Sequence, residues 1–346
     1  MGEISVKTGN NARNGGKNSL NRLIRCVCGK KIGPDPRNFN QRVSLGRNDL
    51  LIRTFPKKTH PSDVVFFYID PYEEEMVYLN TDLKSYAEGT IGKKIVEGAL
   101  TSLALATECA NVSEEWRLKY VHDDSLGYNV RGLLFLYNHD NLYDKDFYEN
   151  ITKKLDHSSI NCPPNIKLHL LDPYKISDLI NISSDITKLI GSGKLPQPDK
   201  FTYYYPDLSL TRIKHPINQA TPATIELLTS PYIIIKHEAF SWLRDKNPEG
   251  YVVYYNQPGD SVDEFVYFFD MLSTYQILTE GKPIVLRHCY IHPNENAIHH
   301  FERAKKKYST DWLLGEDERL FLKIDFDKTD KIVVEYNLEK IGMEQR

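Results

Sequence analysis

The stretch LNTDLKSYAEG, residues 79–89, ends an apolar run with an aspartate and a lysine two residues apart. Residues two apart on a β-strand project from the same face, so a strand here places Asp82 and Lys84 side by side. Acid-x-Lys triplets are not specific, because the chain contains a second one at 280–282, in the turn-like segment TEGKP. The residues around Asp82 therefore decide whether it belongs to a site or to a surface ion pair.

Two β-like runs flank a short turn in this region. DVVFFYI (63–69) and EMVYLNTDLK (75–84) are rich in β-branched and aromatic residues, and DPYEE between them has turn chemistry. A turn centred between residues 72 and 73 makes Asp63 face Asp82, with β-carbons about 4.5 to 5.5 Å apart. Two carboxylates at that distance repel each other unless a cation such as Mg²⁺ joins them. The alternative is a strand cap at Asp63 and an exposed ion pair between Asp82 and Lys84.

The sequence around the hairpin predicts further elements. Apolar residues at helical spacing in 18–31 predict a first helix, and 42–55 has the pattern of an uneven strand. The period changes after residue 89, and 91–111 predicts a helix of about twenty residues. A buried strand at 131–137 follows, then an amphipathic helix at 143–155 and a strand at 166–171. The first six elements therefore run helix, three strands, helix, strand.

This order, together with the motif residues, resembles the PD-(D/E)XK nuclease superfamily. The resemblance covers residues 18–140 and rests on HPSDVV (60–65), the hairpin, Asp82-Leu83-Lys84 and the long helix that follows. It implies an α/β fold with a restriction-endonuclease-like αβββαβ core and a mixed central sheet. It also implies an endonuclease that hydrolyses DNA phosphodiester bonds with Mg²⁺ or Mn²⁺, similar to the nuclease subunits of restriction and anti-phage defence systems.

The resemblance assigns roles to four residues of the hairpin. Asp63 and Asp82 correspond to metal ligands, with the Leu83 carbonyl as a third, and Lys84 corresponds to the catalytic lysine that stabilises the attacking water or the charged phosphate. Many members carry a glutamate on the first helix, whereas 18–32 contains no acid. This departure leaves open the number of metal ions. It also leaves an alternative function, a non-catalytic nucleic-acid-binding or scaffolding subunit with a degenerate nuclease fold.

Charge is distributed unevenly along the chain. The first sixty residues carry thirteen basic and three acidic side chains, a surplus of ten, so the total of −3 leaves the remainder strongly acidic. A dense basic segment favours contact with the phosphates of DNA. The alternatives are a solvated basic face that binds nothing and a basic face that binds an acidic partner. The candidate nucleic-acid-binding residues are Arg22, Arg25, Lys30, Lys31, Lys93 and Lys94.

The segment GSGKLPQPDK (191–200) has the composition of a linker and predicts two domains. Residues 1–195 would form the nuclease domain with its basic N-terminal segment, and 201–346 an α+β domain for partner contact or target recognition. The acidic balance of the second domain favours contact with a second protein subunit or another copy of the chain. Its predicted strands are 231–237, 251–255, 283–291, 319–326 and 331–338, and its predicted helices are 262–279 and 295–308.

Composition indicates a cytoplasmic protein that does not enter the membrane. No apolar run approaches the roughly 18 residues that a membrane span requires, and the N-terminus has no hydrophobic segment of the signal-peptide kind. Five cysteines scattered over 346 residues are an odd number and argue against a disulfide framework, as expected for a reducing compartment.

Overall fold

A computed structural model describes most of the chain beyond the basic segment. The described residues are 62–121, 127–156, 158–160, 162–206, 222–278, 281–290, 292–312, 321 and 323–330. The predicted first helix and the uneven strand lie outside these ranges, as do Arg22, Arg25, Lys30 and Lys31.

Four strands form a first, mixed sheet in the order β1-β2-β3-β4. β1 and β2 are antiparallel, whereas β3 runs parallel to β2 and β4 parallel to β3. The bounds are β1 Val64–Ile69, β2 Met76–Tyr86, β3 Tyr128–Asn138 and β4 Leu168–Leu171. The chain is therefore an α/β protein, and the strands predicted at 63–69, 75–84, 131–137 and 166–171 are confirmed with shifted bounds.

The hairpin between β1 and β2 has the register predicted from its turn. Val64 pairs with Thr81 and Ile69 with Met76, and every pair of the ladder has the predicted partners. The turn is closed by the Asp70 carboxylate, whose Oδ1 accepts hydrogen bonds from the backbone N–H groups of Tyr72 at 2.8 Å and Glu73 at 3.3 Å. An aspartate at the first turn position commonly bonds the backbone in this way, which explains why DPYEE fixes the register.

Helix α1, Lys93–Val112, covers one face of the first sheet and confirms the predicted long helix. Its side chains Val96, Leu100 and Leu103 pack in a buried cluster with residues of β3. Gly132 on β3 permits the close approach, because an added β-carbon would lie 2.8 Å from Thr107 Oγ1 and 2.6 Å from a methyl of the β4 residue opposite. A short helix, α2 Glu114–Tyr120, follows directly.

Helix α4, Pro173–Gly191, covers the other face and is not predicted above. Its start has a clear signal, since Asp172 caps the backbone N–H of Lys175 at 2.9 Å and Pro173 occupies the first turn. The predicted helix at 143–155 is wrong: the segment contains one helical turn, α3 Phe147–Asn150, and a 3-10 turn. The N–H of Tyr143 is bonded to the Asn138 side chain instead of entering a helix.

A second sheet has five strands in the order β11-β10-β9-β6-β5. β6 is antiparallel to both of its neighbours, β5 and β9, and β10 and β11 continue parallel to β9. A small hairpin, β7 with β8, lies between β6 and β9 in the sequence. The bounds are β5 Phe201–Tyr203, α5 Ile225–Thr229, β6 Tyr232–His237, β7 Phe240–Trp242, β8 Asp245–Asn247, β9 Gly250–Tyr255, α6 Val262–Thr274, β10 Ile284–His288, α7 Ala297–Trp312 and β11 Asp325–Lys328.

Most of the C-terminal elements predicted from the sequence are present, with shifted bounds. Strands are present at 232–237, 250–255 and 284–288, and the helices are 262–274 and 297–312. Of the predicted strand 319–326, only 325 and 326 lie in a strand among the described residues, and that strand continues to Lys328. The predicted strand 331–338 lies outside the described residues.

One buried apolar cluster joins the two sheets. It contains Leu79 and Phe135 from the first sheet, the inner side of α4, and Ile235 and Val252 from the second. The division into 1–195 and 201–346 stays a prediction. Among the helices of the described residues, none combines the length and the apolar character needed to cross a bilayer.

Candidate metal-binding site

Asp63 immediately precedes β1 and is held against β2 by two hydrogen bonds. Its backbone N–H donates to the Thr81 carbonyl at 3.1 Å, and its Oδ2 accepts from the backbone N–H of Leu83 at 3.0 Å. The Asp63 residue is only 8% exposed. These bonds place Asp63 beside the Asp82-Leu83-Lys84 stretch, so the structure brings together all four hairpin residues predicted to form the site.

Asp82 and Lys84 form an ion pair on the same face of β2. Lys84 Nζ lies 2.8 Å from Asp82 Oδ1, and both side chains are partly exposed. The period of two along a strand explains this proximity, as expected from the sequence. Asp82 is therefore accessible to solvent, whereas Asp63 is buried.

The environment of Asp63 disfavours its charged form. Burial, together with the charge of Asp82 and a hydrogen bond between the two side chains, raises the pKa of Asp63 to about 7, although the Leu83 N–H acts in the opposite direction. Two carboxylates in contact share a proton when no cation is present. Partial burial acts to lower the pKa of the Lys84 ammonium, but the adjacent Asp82 carboxylate outweighs it and the pKa is raised. Lys84 is therefore fully charged at neutral pH.

A buried chain of polar side chains supports the hairpin at this point. Ser62 Oγ donates to Asn80 Oδ1, Asn80 Nδ2 lies 3.5 Å from Thr107 Oγ1 on α1, and Thr107 in turn donates to the Leu103 carbonyl at 2.8 Å. Asn80 lies on the same strand face as Asp82, two residues earlier. Sequence reasoning did not single out Thr107, because its partner is separated by 27 residues and no local pattern marks it.

The donor set fits a hard divalent cation. Asp63 and Asp82 could supply oxygen ligands, and a cation between them would offset both the burial and the repulsion that now favour the protonated form of Asp63. Among the described residues, no group of three or more His, Cys, Asp or Glu side chains is arranged to hold a metal ion. Two carboxylates suffice for Mg²⁺, which usually retains several waters. The Leu83 carbonyl as a third ligand stays a prediction.

Lys93 and Lys94 lie in the first turn of α1 and are exposed. Lys93 pairs with Glu97 one turn later, with Nζ 3.3 Å from Oε1. The helix begins at Gly92 without a side-chain cap, so its first N–H groups are not bonded by a capping side chain. Both lysines are placed to meet an anion near a helix N-terminus, and their contact with nucleic acid stays a prediction.

A family model for the PD-(D/E)XK nuclease domain of GAPS4 proteins matches residues 1–175, half of the chain. The chain belongs to this family. The match confirms the superfamily inferred from the sequence, and the matched range contains the first sheet, α1 and the four hairpin residues. No curated protein matches the chain.

Proposed function

We propose that this member of the GAPS4 PD-(D/E)XK family is a Mg²⁺-dependent endonuclease that hydrolyses DNA phosphodiester bonds, with Mn²⁺ as an alternative ion. The observation that carries the proposal is the convergence of Asp63, Asp82 and Lys84. The buried Asp63 carboxylate is held at 3.0 Å by the Leu83 N–H, next to the partly exposed Asp82 carboxylate, which has an ammonium at 2.8 Å. A purely structural ion pair would not need a second, proton-sharing acid beside it.

The proposed mechanism gives each side chain a distinct task. Asp63, once deprotonated, and Asp82 would hold the ion, which would supply an activated water and neutralise charge on the phosphate. The Lys84 ammonium lies on the same strand face as Asp82. It donates to the attacking water or to a phosphate oxygen and stabilises the charge of the transition state. The N–H of Leu83 keeps the Asp63 carboxylate oriented.

The surrounding chain has a proposed role as well. Residues 1–61 would complete the αβββαβ core with a first helix and a first strand, and their basic side chains would bind the DNA backbone. Residues 201–346 would contact a second protein subunit or a second copy of the chain. We place the activity in the cytoplasm, in anti-phage defence or restriction.

The test is plasmid cleavage by the full chain, alone and with its partner, in Mg²⁺ or EDTA. We expect Lys84→Ala to lower cleavage at least a hundredfold. Lys282→Ala is the matched control, because Lys282 belongs to the other acid-x-Lys triplet and pairs with Glu249 at 3.1 Å in the second half of the chain. Cleavage by Lys84→Ala at the rate of the control would overturn the proposal.

A second candidate function is a non-catalytic DNA-binding subunit. It is favoured by the presence of only two carboxylates in the site, with no third acidic, His or Cys ligand among the described residues. Binding assays on labelled duplex DNA separate the two candidates. A wild type that binds DNA with a steep salt dependence, yet never cuts in any divalent ion, would support the subunit and exclude the enzyme.

A further inference from the structure

The second sheet repeats the topology of the first. In both, an antiparallel pair of strands is followed by a helix and then by a strand parallel to the second member of the pair. In the first sheet these are β1, β2, α1 and β3, and in the second they are β6, β9, α6 and β10. A further parallel strand, β4 or β11, completes each set at the same edge. All four strands therefore agree in order and direction.

The two sheets also agree in which face packs where. On β2, Val77 and Leu79 face the cluster shared by both sheets. The alternate residues, such as Tyr78, face the side of α1, and the strand period places Asp82 on that same side. On β9 the shared cluster receives Val252 and Tyr254. The alternate residues of β9, Tyr255 included, pack in a separate cluster with the aromatic side chains of α6.

This correspondence identifies the counterparts of the carboxylates. Asp63 and Asp82 lie at the open end of their hairpin, directly beyond the pair Val64 and Thr81. On the helix-facing side of the β6–β9 pair, the residues at the same end are Tyr232 and Tyr255. From residue 250 to residue 258, GYVVYYNQP contains neither an acid nor a lysine.

We propose that the described part of the C-terminal half is a nuclease-like unit without a catalytic centre, so that, among the described residues, the metal site is the one at Asp63 and Asp82. The inference rests on the proposed function and deepens it. The chain would thus pair one catalytic sheet with one structural sheet, with helix α4 between them.

The chemistry at the second position excludes a metal site. The rings of Tyr232 and Tyr255 are stacked with centroids 5.6 Å apart, and Phe268 lies 5.3 Å from Tyr255. Tyr255 is 1% exposed, so neither a phosphate nor a hydrated ion can reach it. Aromatic packing of this kind stabilises the unit where the first sheet has an open acidic pair.

The carboxylate that contacts Tyr255, Glu264, is occupied by hydrogen bonds within the protein. Glu264 accepts hydrogen bonds from the Tyr255 hydroxyl at 2.5 Å and from the backbone N–H groups of Gly259 at 2.8 Å and Asp260 at 2.7 Å. These bonds close the loop that leads into α6. A carboxylate with three donors has a structural task and offers no pair of free oxygens to a cation.

The experiment counts metal sites on the full chain by titration with Mn²⁺ followed by electron paramagnetic resonance, alongside plasmid nicking. The variants are Asp63→Asn with Asp82→Asn, Tyr255→Phe and Glu264→Gln. We expect the double variant to lose both specific Mn²⁺ binding and nicking. We expect Tyr255→Phe, with an unchanged circular dichroism spectrum, to keep both at the wild-type level.

Two results would overturn the inference. One is specific Mn²⁺ binding that persists in the Asp63→Asn, Asp82→Asn variant and disappears on adding Glu264→Gln; the other is metal-dependent nicking by that double variant. A wild type that binds Mn²⁺ at the first sheet but never cuts would overturn only the proposed nuclease activity, because the count of sites would still hold. A wild type that binds no Mn²⁺ would overturn both.

Discussion

The backbone N–H of Leu83 donates to Asp63 Oδ2 at 3.0 Å and so ties the first residue of the hairpin to the centre of the Asp-Leu-Lys motif. This bond fixes one carboxylate while the other, Asp82, pairs with Lys84. The site is therefore preorganised around a buried acid that retains a proton near neutral pH. The predicted dependence of the candidate site on pH and on metal ions follows from that arrangement.

We expect Asp63→Asn to make the metal-free protein more stable at alkaline pH. The raised pKa of Asp63, about 7, means that the neutral form favours folding. That contribution is fully present below about pH 4 and is lost as the pH rises through 7. Asparagine does not titrate, so the free energy of unfolding of the variant should exceed that of the wild type by about 2 kcal/mol at pH 8. At pH 4 the two proteins should be equally stable.

The measurement is urea denaturation in EDTA across this pH range. Glu108→Gln, at an exposed position of α1, is the control for removing one acid and should follow the wild type. A gap between Asp63→Asn and the wild type that stays constant from pH 4 to pH 8 would contradict the raised pKa.

We expect Mg²⁺ binding to weaken as the pH falls below 7, because the ion must displace the proton from Asp63. The affinity should be about tenfold lower at pH 6 than at pH 8. Thermal unfolding with and without Mg²⁺ checks this, since an ion that binds the folded state raises Tm. Asp82→Asn should show no increase in Tm at either pH. An equal increase in the variant and the wild type would place the bound ion elsewhere.

The proximity of Asp63, Asp82 and Lys84 could be predicted from the sequence because it depends on local geometry. The alternation of a strand places Asp82 and Lys84 on one face, and the turn sets the register that brings Asp63 opposite. No long-range information is needed for either step. Thr107 was missed for the opposite reason, since only the packing of α1 on the sheet shows that it meets Asn80.

Two other features could not be predicted from the sequence pattern. The spacing of Tyr143, Phe147 and Ile151 is helical, and all three side chains are buried in one cluster. Side-chain oxygens of Asn138 and Asp140 instead bind backbone N–H groups at 142 and 143 and delay the helix until Phe147. The repeated strand order of the two sheets likewise depends on pairings that no local pattern reports.

We expect Gly132→Ala to destabilise the protein by about 1–3 kcal/mol, the usual cost of overpacking. The new β-carbon would lie 2.6 Å from Leu168 Cδ2 and 2.8 Å from Thr107 Oγ1, so α1 must move away from the sheet. Gly98→Ala is the matched control, because nothing lies within 4 Å of its added carbon. On a helix surface that change should stabilise by about 1 kcal/mol. Denaturation curves in which both variants shift in the same direction would contradict the tight contact.

A buried ion pair couples α4 to the second sheet. Arg287 Nε lies 2.9 Å from Asp185 Oδ2, and the Tyr254 hydroxyl donates to the same oxygen at 2.9 Å. Arg287→Met should cost about 3–5 kcal/mol, because it leaves Asp185 charged and buried without a cation. Asp185→Leu combined with Arg287→Met should recover part of the loss. Chemical denaturation that finds the double variant less stable than the single would show that the pair is not coupled.

The tip of the β7–β8 hairpin is strained at Leu243. This residue has a φ of +54°, in the left-handed region, and its side chain is 92% exposed, so the strain is not offset by packing. Left-handed backbone costs a residue with a β-carbon about 1–2 kcal/mol, and glycine avoids this cost but loses part of the gain through its freer unfolded state. Leu243→Gly should therefore raise the free energy of unfolding by about 0.5–1 kcal/mol. Leu243→Ala retains the β-carbon and should unfold like the wild type in urea; equal stability of the two variants would show that the turn is not strained.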